Sequence, residues 1–492
     1  METLHSIIPL LAVLVSLAVV PAIVSSRSEN AREGWTFAAA FIKFGLVASM
    51  TPFVLQGGSY TFTLVEVIPG VPIAFRVDAF GMLFALVSSS LWIVTSAYSI
   101  GYMRGLDEHS QTRYFSFFAI SLSATIGVAF SANLLTMYLF YEMLSFATYP
   151  LVAHHQDHEA RVSGRKYIGY ILGASICLAL PAMLYVYVQA GNLDFTAGGV
   201  LTADTGKGTL LVLALMFVFG FAKAGVMPFH SWLPAAMVAP TPVSSLLHAV
   251  AVVKVGVFCV FRALTGTLGT TPLSDAGIGT VIAVIASITI LVSSLIALSQ
   301  DELKRRLAFS TIGQLSYIIL GAALLTPAAL QGGMMHITMH AFGKITLFFC
   351  AGAIFVASGK KYISQMKGIG RRMPVTMTAF FIGALSVIGL PPAGGFLSKW
   401  YLVIGTLEAG QIGFLAVLLF SSILNAAYFL PIVYRAFFCA PEDNLFEEGI
   451  KESPPWCLYP LCITAAGSLL LFFYPQPFFR LAQLAVSQIM GG

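Results

Sequence analysis

The chain has 492 residues, with 26 Lys and Arg against 21 Asp and Glu and a formal net charge of +5. Only 10% of the residues are charged and 58% are hydrophobic, whereas a soluble domain carries about 25% charged residues. This composition excludes a water-soluble globular enzyme and a disordered chain. It predicts one polytopic, all-α membrane domain in place of the roughly three soluble domains that the length alone would suggest.

The six cysteines are not spaced as CxxC pairs, so we interpret them as small buried side chains and predict no metal or iron–sulfur site. The basic residues are not clustered, so no nucleic-acid partner is predicted. The apolar segment after Met1 lacks a basic n-region and an A-x-A-like cleavage site. We therefore interpret it as a first membrane helix and not as a signal peptide.

A helix needs about 20 mostly apolar residues to cross the hydrocarbon core of a bilayer. Windows of this length predict about fourteen membrane helices. The windows cover residues 4–24, 35–55, 79–100, 114–130, 133–152, 167–189, 208–228, 240–263, 277–299, 306–326, 332–357, 377–404, 412–437 and 457–475. Pro391 and Pro392 interrupt the twelfth window, and the seventh ends in Pro228 and Pro234, so both are predicted to be broken helices.

The distribution of basic residues predicts how the chain is oriented. Of the 26 Lys and Arg residues, five lie deep inside the windows, four lie on one side of the membrane and the remaining seventeen lie on the other. The four are Arg76, Lys207, Arg262 and Arg480. Since Lys and Arg accumulate in cytoplasmic loops, we expect a multi-pass protein of the cell plasma membrane with both termini on the non-cytoplasmic side.

Five lysines fall inside apolar windows, where a charge costs several kcal/mol unless it faces protein or water. These are Lys43, Lys223, Lys254, Lys344 and Lys399. Burial favours the neutral amine and a nearby carboxylate favours the charged form, so a buried lysine can exchange protons near neutral pH. Such residues predict an ion path through the membrane.

Glu142 is the only acidic residue deep in a window, and Lys223 lies five residues before Pro228. At a few ångströms and an effective dielectric near 20, such a pair interacts by roughly 4 kcal/mol. We interpret the two as a proton switch beside a helix break. The alternative is a structural ion pair that joins two helices.

Lys399 follows the Pro391-Pro392 break, and Lys223 precedes Pro228. In both places a lysine lies close to a predicted helix break. The alternative for Lys399 is a side chain that snorkels to the membrane interface. His248 and Lys254 are six residues apart, about 120° around a helix, so only one should face the path. We favour Lys254 as the residue that faces the path and retain both residues as candidates.

His336, His340 and Lys344 are spaced i, i+4 and i+8, which places them on one helical stripe. Histidine titrates near neutrality, so the stripe predicts a proton relay. Metal binding is a weaker alternative because two ligands on one helix need a third from elsewhere. A structural role remains open for His336.

Two further features have plainer interpretations. Lys43 has no deep acid nearby, so we expect it to snorkel or to contact a partner subunit. His154, His155 and His158 form a loop cluster that we expect to be solvated, with a proton-collecting role as the alternative.

The windows also predict an internal repeat. Residues 114–263 and 277–437 each contain five windows, and the fourth window of each is broken and carries a lysine. Five spans per block require the second block to be inverted, an arrangement typical of ion transporters. Three helices in residues 1–113 precede the blocks, and a loop and one last helix in 438–492 follow them.

Several segments resemble a known family, over most of residues 76–437. They are KAGVMPFHSWLPAAMVAPTPVSSLLHAVAVVKVGVF, DELKRRLAFSTIGQLSYIILG, MHITMHAFGKITLFFCAGAI and GLPPAGGFLSKWYL. They look like the antiporter-like subunits of respiratory complex I, membrane-bound hydrogenases and Mrp cation/proton antiporters. FRVDAF, YEMLSFATYPLVAHHQ and GLPPAGGFLSKWYL look most like the D-type component of Mrp antiporters, although AAMVAPTPVSSLLHA is also close to the long members of the family.

The resemblance implies fourteen helices, two inverted five-helix repeats and a charged axis at mid-membrane. By analogy, Glu142 and Lys223 would be the switch of a first half-channel, and Lys254 or His248 would link it onward. His340, Lys344 and Lys399 would serve a second half-channel.

Two functional hypotheses follow from the resemblance. The first is the proton-translocating subunit of an Mrp-type Na⁺(K⁺)/H⁺ antiporter, with other integral membrane subunits as partners. The second is a proton-pumping subunit of a complex I-like NADH:quinone oxidoreductase or a membrane-bound hydrogenase. A third hypothesis, a solute carrier that works without other subunits, is weaker because the sequence indicates no polar substrate pocket. The chain has no flavin, nucleotide or cluster motif, so we expect no cofactor and no enzymatic chemistry of its own.

Overall fold

The computed structural model describes residues 2–201, 205–440 and 451–491. Residues 1, 202–204, 441–450 and 492, which belong to three of the predicted regions, lie outside the described residues. The described chain is mostly helical, with one small sheet.

The sheet has the strand order β1-β2-β3 and consists of β1 (Thr3–His5), β2 (Ser59–Ile68) and β3 (Val71–Val77). The first two strands are parallel, with Thr3 opposite Ser59, and the last two form an antiparallel hairpin. β-branched and aromatic residues favour these strands, and Gly70 supplies the positive φ of 76° that their turn requires. The sheet was not predicted, because the search used only windows of about 20 apolar residues.

Four helices form the N-terminal part, α1 (Ile8–Ala18), α2 (Val20–Ser25), α3 (Glu29–Leu55) and α4 (Ala79–Gly105). The side chain of Asp78 caps α4 by accepting a hydrogen bond from the backbone N–H of Gly81. This cap fixes the point at which the hairpin ends and the helix begins.

Nine helices follow up to residue 275. They are α5 (Gln111–Ala129), α6 (Leu134–Val152), α7 (His158–Ala174), α8 (Leu180–Ala190), α9 (Lys207–Gly220), α10 (Trp232–Ala235), α11 (Thr241–Ser245), α12 (Val252–Arg262) and α13 (Thr270–Asp275). Three π-helical segments connect α7 to α8, α11 to α12 and α12 to α13, over Ser175–Ala179, Leu246–Val250 and Ala263–Gly269. Single 3₁₀ turns cover Ala222–Ala224 and Ala236–Val238.

The remaining helices begin at residue 278. They are α14 (Ile278–Ser299), α15 (Leu303–Ala323), α16 (Pro327–Ser358), α17 (Pro374–Ile388), α18 (Gly395–Glu408), α19 (Ile412–Phe438), α20 (Pro455–Phe473) and α21 (Gln476–Met490). Two 3₁₀ turns, Ile363–Met366 and Ile369–Arg371, lie between α16 and α17.

Each of the predicted windows contains one helix or consecutive short helices. Both predicted breaks are confirmed: α9 ends at Gly220 before the turn that carries Lys223, and residues 389–394 separate α17 from α18. Within the described residues, 9 helices or runs of consecutive helical segments are long and apolar enough to cross a membrane, and α9 and α17 are shorter apolar helices. The count of fourteen crossings and the inverted repeat remain predictions.

The long helix α16 lies at the centre and is buried along most of its length. It packs against α15, α17, α18 and α20. The outer helices expose large apolar side chains instead, such as Phe41, Ile288 and Ile423 at 58%, 55% and 65%. An apolar exterior around a buried polar centre is the arrangement a lipid bilayer requires.

The C-terminal helix α21 was not predicted. It is amphipathic: Leu481, Ala485 and Ile489 are buried where it packs against α4 and α16, while Arg480 is exposed. The region 438–492 therefore contains two helices among its described residues, and not one. Hydropathy windows overlooked α21 because half of its surface is polar.

Candidate functional site

Lys223 is held on the turn that follows α9. Its side chain is 0% exposed, and Nζ donates to the backbone oxygen of Tyr141 at 2.7 Å and to Ser145 Oγ at 2.5 Å. The ammonium also lies 3.2 Å from the centre of the Tyr141 ring. The break in the helix therefore places this amine against α6.

The same turn contacts α12 at Gly256. A Cβ atom at this position would collide with the backbone of Lys223 and Ala224. Only glycine allows this close approach. The turn of Lys223 thus touches the helix that carries Lys254, two residues before Gly256.

Glu142 follows Tyr141 on α6, and both of its carboxylate oxygens are buried without a hydrogen-bond partner among the described residues. Among the described residues, Glu142 and Lys223 do not form an ion pair within 4.0 Å. The expected direct pair is therefore not formed in this structure. The ammonium is taken up instead by the carbonyl of Tyr141 and the hydroxyl of Ser145, which lie on either side of Glu142 in the sequence.

Lys254 joins the two predicted repeats. Its Nζ lies 2.6 Å from His340 Nδ1, so α12 and α16 are linked by a hydrogen bond between two titratable groups. Both side chains are buried, at 0% and 2% exposure. His340 Nε2 has no hydrogen-bond partner among the described residues, which leaves one ring nitrogen free to exchange a proton.

His336 lies one turn before His340 on α16, and their ring centres are 5.6 Å apart. Its Nδ1 lies 2.8 Å from Ser398 Oγ and its Nε2 lies 3.1 Å from Gln314 Oε1. Both ring nitrogens thus have partners, as a structural histidine requires. The same contacts also connect the stripe to α18, where Ser398 precedes Lys399.

Lys399 is buried at 7% exposure, so the alternative of a snorkelling side chain is wrong. Its Nζ donates to the backbone oxygens of Val387 and Ile388, at 2.9 and 3.0 Å. These carbonyls are left without intrahelical partners where α17 ends. The ammonium also lies 4.6 Å from the ring centre of Tyr317, whose ring centre is 5.6 Å from that of His336.

The expected angle between His248 and Lys254 assumed one continuous helix. The structure has a π-helical segment up to Val250 and a break at Ala251, with φ −121° and ψ −76°. The assumption was therefore wrong. His248 packs on the ring of Phe348 at 4.7 Å, and neither of its ring nitrogens has a hydrogen-bond partner among the described residues.

The other two buried lysines are held by backbone carbonyls. Lys344 Nζ donates to Leu307 at 3.1 Å, and Lys43 Nζ donates to Leu122 at 3.2 Å. Lys43 is 0% exposed inside the described chain, so the expectation that it snorkels or contacts a partner subunit is wrong.

The structure thus brings four predicted residues into one row: Lys254, His340, His336 and Lys399. Lys223 and Glu142 lie at one end of it, and Lys344 and His248 lie beside it. Sequence reasoning missed the uncharged groups that connect the row, namely Ser398, Gln314, Tyr317, Tyr141 and Ser145. Their only signal was polarity inside an apolar segment. Within this row Lys254 and His340 share a hydrogen bond, and the ring of His340 packs against the ring of His336. Buried amines and imidazoles are groups that can bind and release protons.

The family model described as NADH:quinone oxidoreductase/Mrp antiporter, TM, matches residues 131–425. This match covers more than half of the chain and includes all of the predicted path residues, from Glu142 to Lys399. The chain therefore belongs to this family of antiporter-like, ion-translocating membrane subunits.

Two curated relatives illustrate the range of the family. NADH-quinone oxidoreductase subunit N of Desulforudis audaxviator is 34% identical over 396 residues, 77% of each chain. The A/B component of a probable K⁺/H⁺ antiporter of Rhizobium meliloti is 29% identical over 94% of this chain. The match spans only 46% of that longer relative.

Two solved structures share the fold. One is the archaeal membrane-bound sulfane sulfur reductase, a respiratory membrane complex, with a TM-score of 0.87 and 22% identity over 99% of this chain and 98% of that one. The other is the Mrp complex of Dietzia sp. DQ12-45-1b, with a TM-score of 0.83 and 23% identity over 98% and 96%. The fold is thus that of an antiporter-like component of multisubunit membrane complexes.

Proposed function

We propose that this chain is the proton-translocating subunit of an Mrp-type Na⁺(K⁺)/H⁺ antiporter, and that protons pass along the row from Glu142 and Lys223 to Lys399. The observation that carries the proposal is the 2.6 Å contact between Lys254 and His340. It connects the two predicted repeats through groups that both bind protons. Lys344 and His248 lie beside the row and are further proton-binding groups of the path.

The chemistry of the row favours protons over metal cations. A Na⁺ or K⁺ site would need carboxylate or carbonyl oxygens arranged around the ion. Apart from the single carboxylate of Glu142, the path consists of amines and imidazoles, and the backbone oxygens beside Lys223 and Lys399 already accept from ammonium groups. We therefore assign the proton path to this chain and the cation path to other integral membrane subunits.

Proton movement in membrane vesicles tests the proposal. Lys254→Ala and His340→Ala should each abolish ion-coupled ΔpH formation, and the double variant should be no worse than either alone, because both interrupt the same link. Lys43→Ala is the matched control, since Lys43 is also a buried lysine but lies outside the row. Normal ΔpH formation by either single variant, at normal membrane content, would refute the proposed link.

A proton pump of a redox complex is the second candidate. It is favoured by the 34% identity to the Desulforudis audaxviator NADH-quinone oxidoreductase subunit over 77% of both chains. Mass spectrometry of the complex purified from its native membrane in mild detergent separates the two. Membrane subunits without flavin or iron absorbance support the antiporter. Co-purifying iron–sulfur, flavin or nickel proteins would support the redox pump instead.

A further inference from the structure

A cluster of imidazoles outside the row surrounds one carboxylate oxygen. Glu108 Oε2 lies 3.6 Å from His155 Nδ1, 3.8 Å from His154 Nε2 and 3.9 Å from His109 Nδ1. Glu108 and His109 belong to the loop between α4 and α5, and the other two histidines belong to the loop between α6 and α7. Two loops that are distant in sequence thus present one oxygen and three nitrogens to each other.

His154 is the most unusual member of the cluster. It is 0% exposed, yet neither ring nitrogen has a hydrogen-bond partner among the described residues. A buried polar group without a partner destabilises the folded state. Its Nε2 faces Glu108 at 3.8 Å, which is too long for a hydrogen bond. The imidazole ring is therefore buried without a hydrogen bond to compensate for its lost contact with water.

We propose that Glu108, His109 and His154 form a binding site for a divalent transition metal ion of the Zn²⁺ class, with His155 next to Glu108. One ligand atom each from Glu108, His109 and His154 lies within 4.8 Å of the others. In a tetrahedral zinc site with ligand bonds near 2.0 Å, neighbouring ligand atoms are about 3.3 Å apart. The distances from Glu108 exceed this by a few tenths of an ångström, and all ligand atoms of the group lie within 4.8 Å of one another, so the side chains would have to turn towards a common centre to hold an ion.

The donor set selects the class of metal. Imidazole nitrogens suit Zn²⁺, Cu²⁺ and Ni²⁺, whereas Mg²⁺ and Ca²⁺ require mostly oxygen ligands.

The backbone around the cluster supports this assignment. Asp107, Ser110 and Gln156 have positive φ values of 50°, 52° and 57°, and they flank the cluster in both loops. Such conformations are strained in residues other than glycine and concentrate at functional sites. Their presence on both sides of the cluster indicates that the fold holds these loops in a particular geometry.

The site also borders a large polar cavity of about 810 Å³, which Glu108 and His155 line together with Lys166, Lys304 and Lys361. The same lining holds the carboxylates of Asp157, Glu159 and Glu302. A dication bound at Glu108 would therefore change the balance of charge at this cavity.

Metal titration of the full-length chain tests the proposal. The protein is purified with an affinity tag that contains no histidine, stripped with a chelator and titrated with Zn²⁺ against a chromophoric chelator. We expect one Zn²⁺ per chain, and His109→Ala and Glu108→Gln should each weaken binding by at least about 10-fold, as loss of supporting residues already does in zinc sites. Both residues lie on a surface loop, so neither change should prevent folding.

The matched control is His158→Ala, which removes an exposed histidine four residues after His154 that is not part of the cluster. X-ray absorption of the zinc-loaded protein should show imidazole scattering from two or three histidines. Equal affinity in the wild type, His109→Ala and Glu108→Gln would overturn the site. So would the same loss of affinity in His158→Ala, or a zinc spectrum without imidazole.

Discussion

Arg262 Nη2 lies 2.5 Å from Asp78 Oδ1 and joins the end of α12 to the beginning of α4. The same carboxylate oxygen accepts from the backbone N–H of Gly81 at 2.9 Å, and Arg76 Nε lies 3.9 Å from the other oxygen. One buried carboxylate therefore caps a helix, forms an ion pair with Arg262 and lies near the second guanidinium group of Arg76. Because Arg262 lies eight residues after Lys254 on the same helix, this contact also fixes the position of the proposed path.

We expect Asp78→Asn and Asp78→Ala to destabilise the protein to different extents. Asn retains the helix cap but leaves the buried Arg262 without its counter-charge, a change that costs about 3–5 kcal/mol. Ala also removes the cap, which contributes about a further 1 kcal/mol. The thermal unfolding midpoint in detergent should fall in the order wild type, Asn, Ala. Exposed Asp275 on α13 provides the control, and equal loss in Asp275→Asn would contradict the explanation.

The contribution of Asp78 should also depend on pH. Burial by itself raises the pKa of this carboxyl, but Arg262, Arg76 and the hydrogen bonds from Arg262 and Gly81 outweigh burial, so the pKa lies below its usual value of 3.8. A lowered pKa in the folded state stabilises at pH values above 3.8 and loses this effect as the pH falls through the folded value. The difference in unfolding midpoint between wild type and Asp78→Asn should be constant from pH 7 to about pH 5 and shrink below about pH 4. A difference that grows in acid would contradict the assignment.

Lys223→Ala and Glu142→Ala should each abolish ion-coupled proton movement while the protein still inserts. The first change removes the amine held by Tyr141 and Ser145, and the second removes the buried carboxylate beside it. The measurement is ΔpH formation in vesicles, normalised to the amount of membrane protein. Variants that transport normally would remove both residues from the path.

Lys399→Ala should be severe in the same assay for a second reason. Its amine donates to the two backbone oxygens where α17 ends, so its removal leaves those carbonyls unpaired as well as interrupting the row. The unfolding midpoint should fall together with transport. Lys399→Arg separates the two effects, because arginine can still donate to the carbonyls but does not release its proton. We expect this variant to recover stability and not transport, and recovery of both would show that Lys399 is only structural.

Hydropathy located the helices because a lipid-facing segment must be apolar over its whole length, and proline located the two predicted breaks. The break at Ala251 escaped prediction because the surrounding sequence, HAVAVVKV, contains neither proline nor glycine. The titratable residues were found by their rarity in apolar segments. Their contacts were not predictable from spacing, since Lys254 and His340 are 86 residues apart and meet only through the packing of α12 on α16.

In the proposed path, the two halves meet at the contact between Lys254 and His340, and transfers along it occur in series. The slowest step of a series sets the rate of the whole. A change that lengthens this 2.6 Å contact would therefore slow proton transfer through the whole path, even if the changed residue lies far from the contact. Loss of the Asp78–Arg262 ion pair at the far end of α12 is one such change. A substitution outside the row that destabilises the protein would therefore also lower the rate of proton transfer.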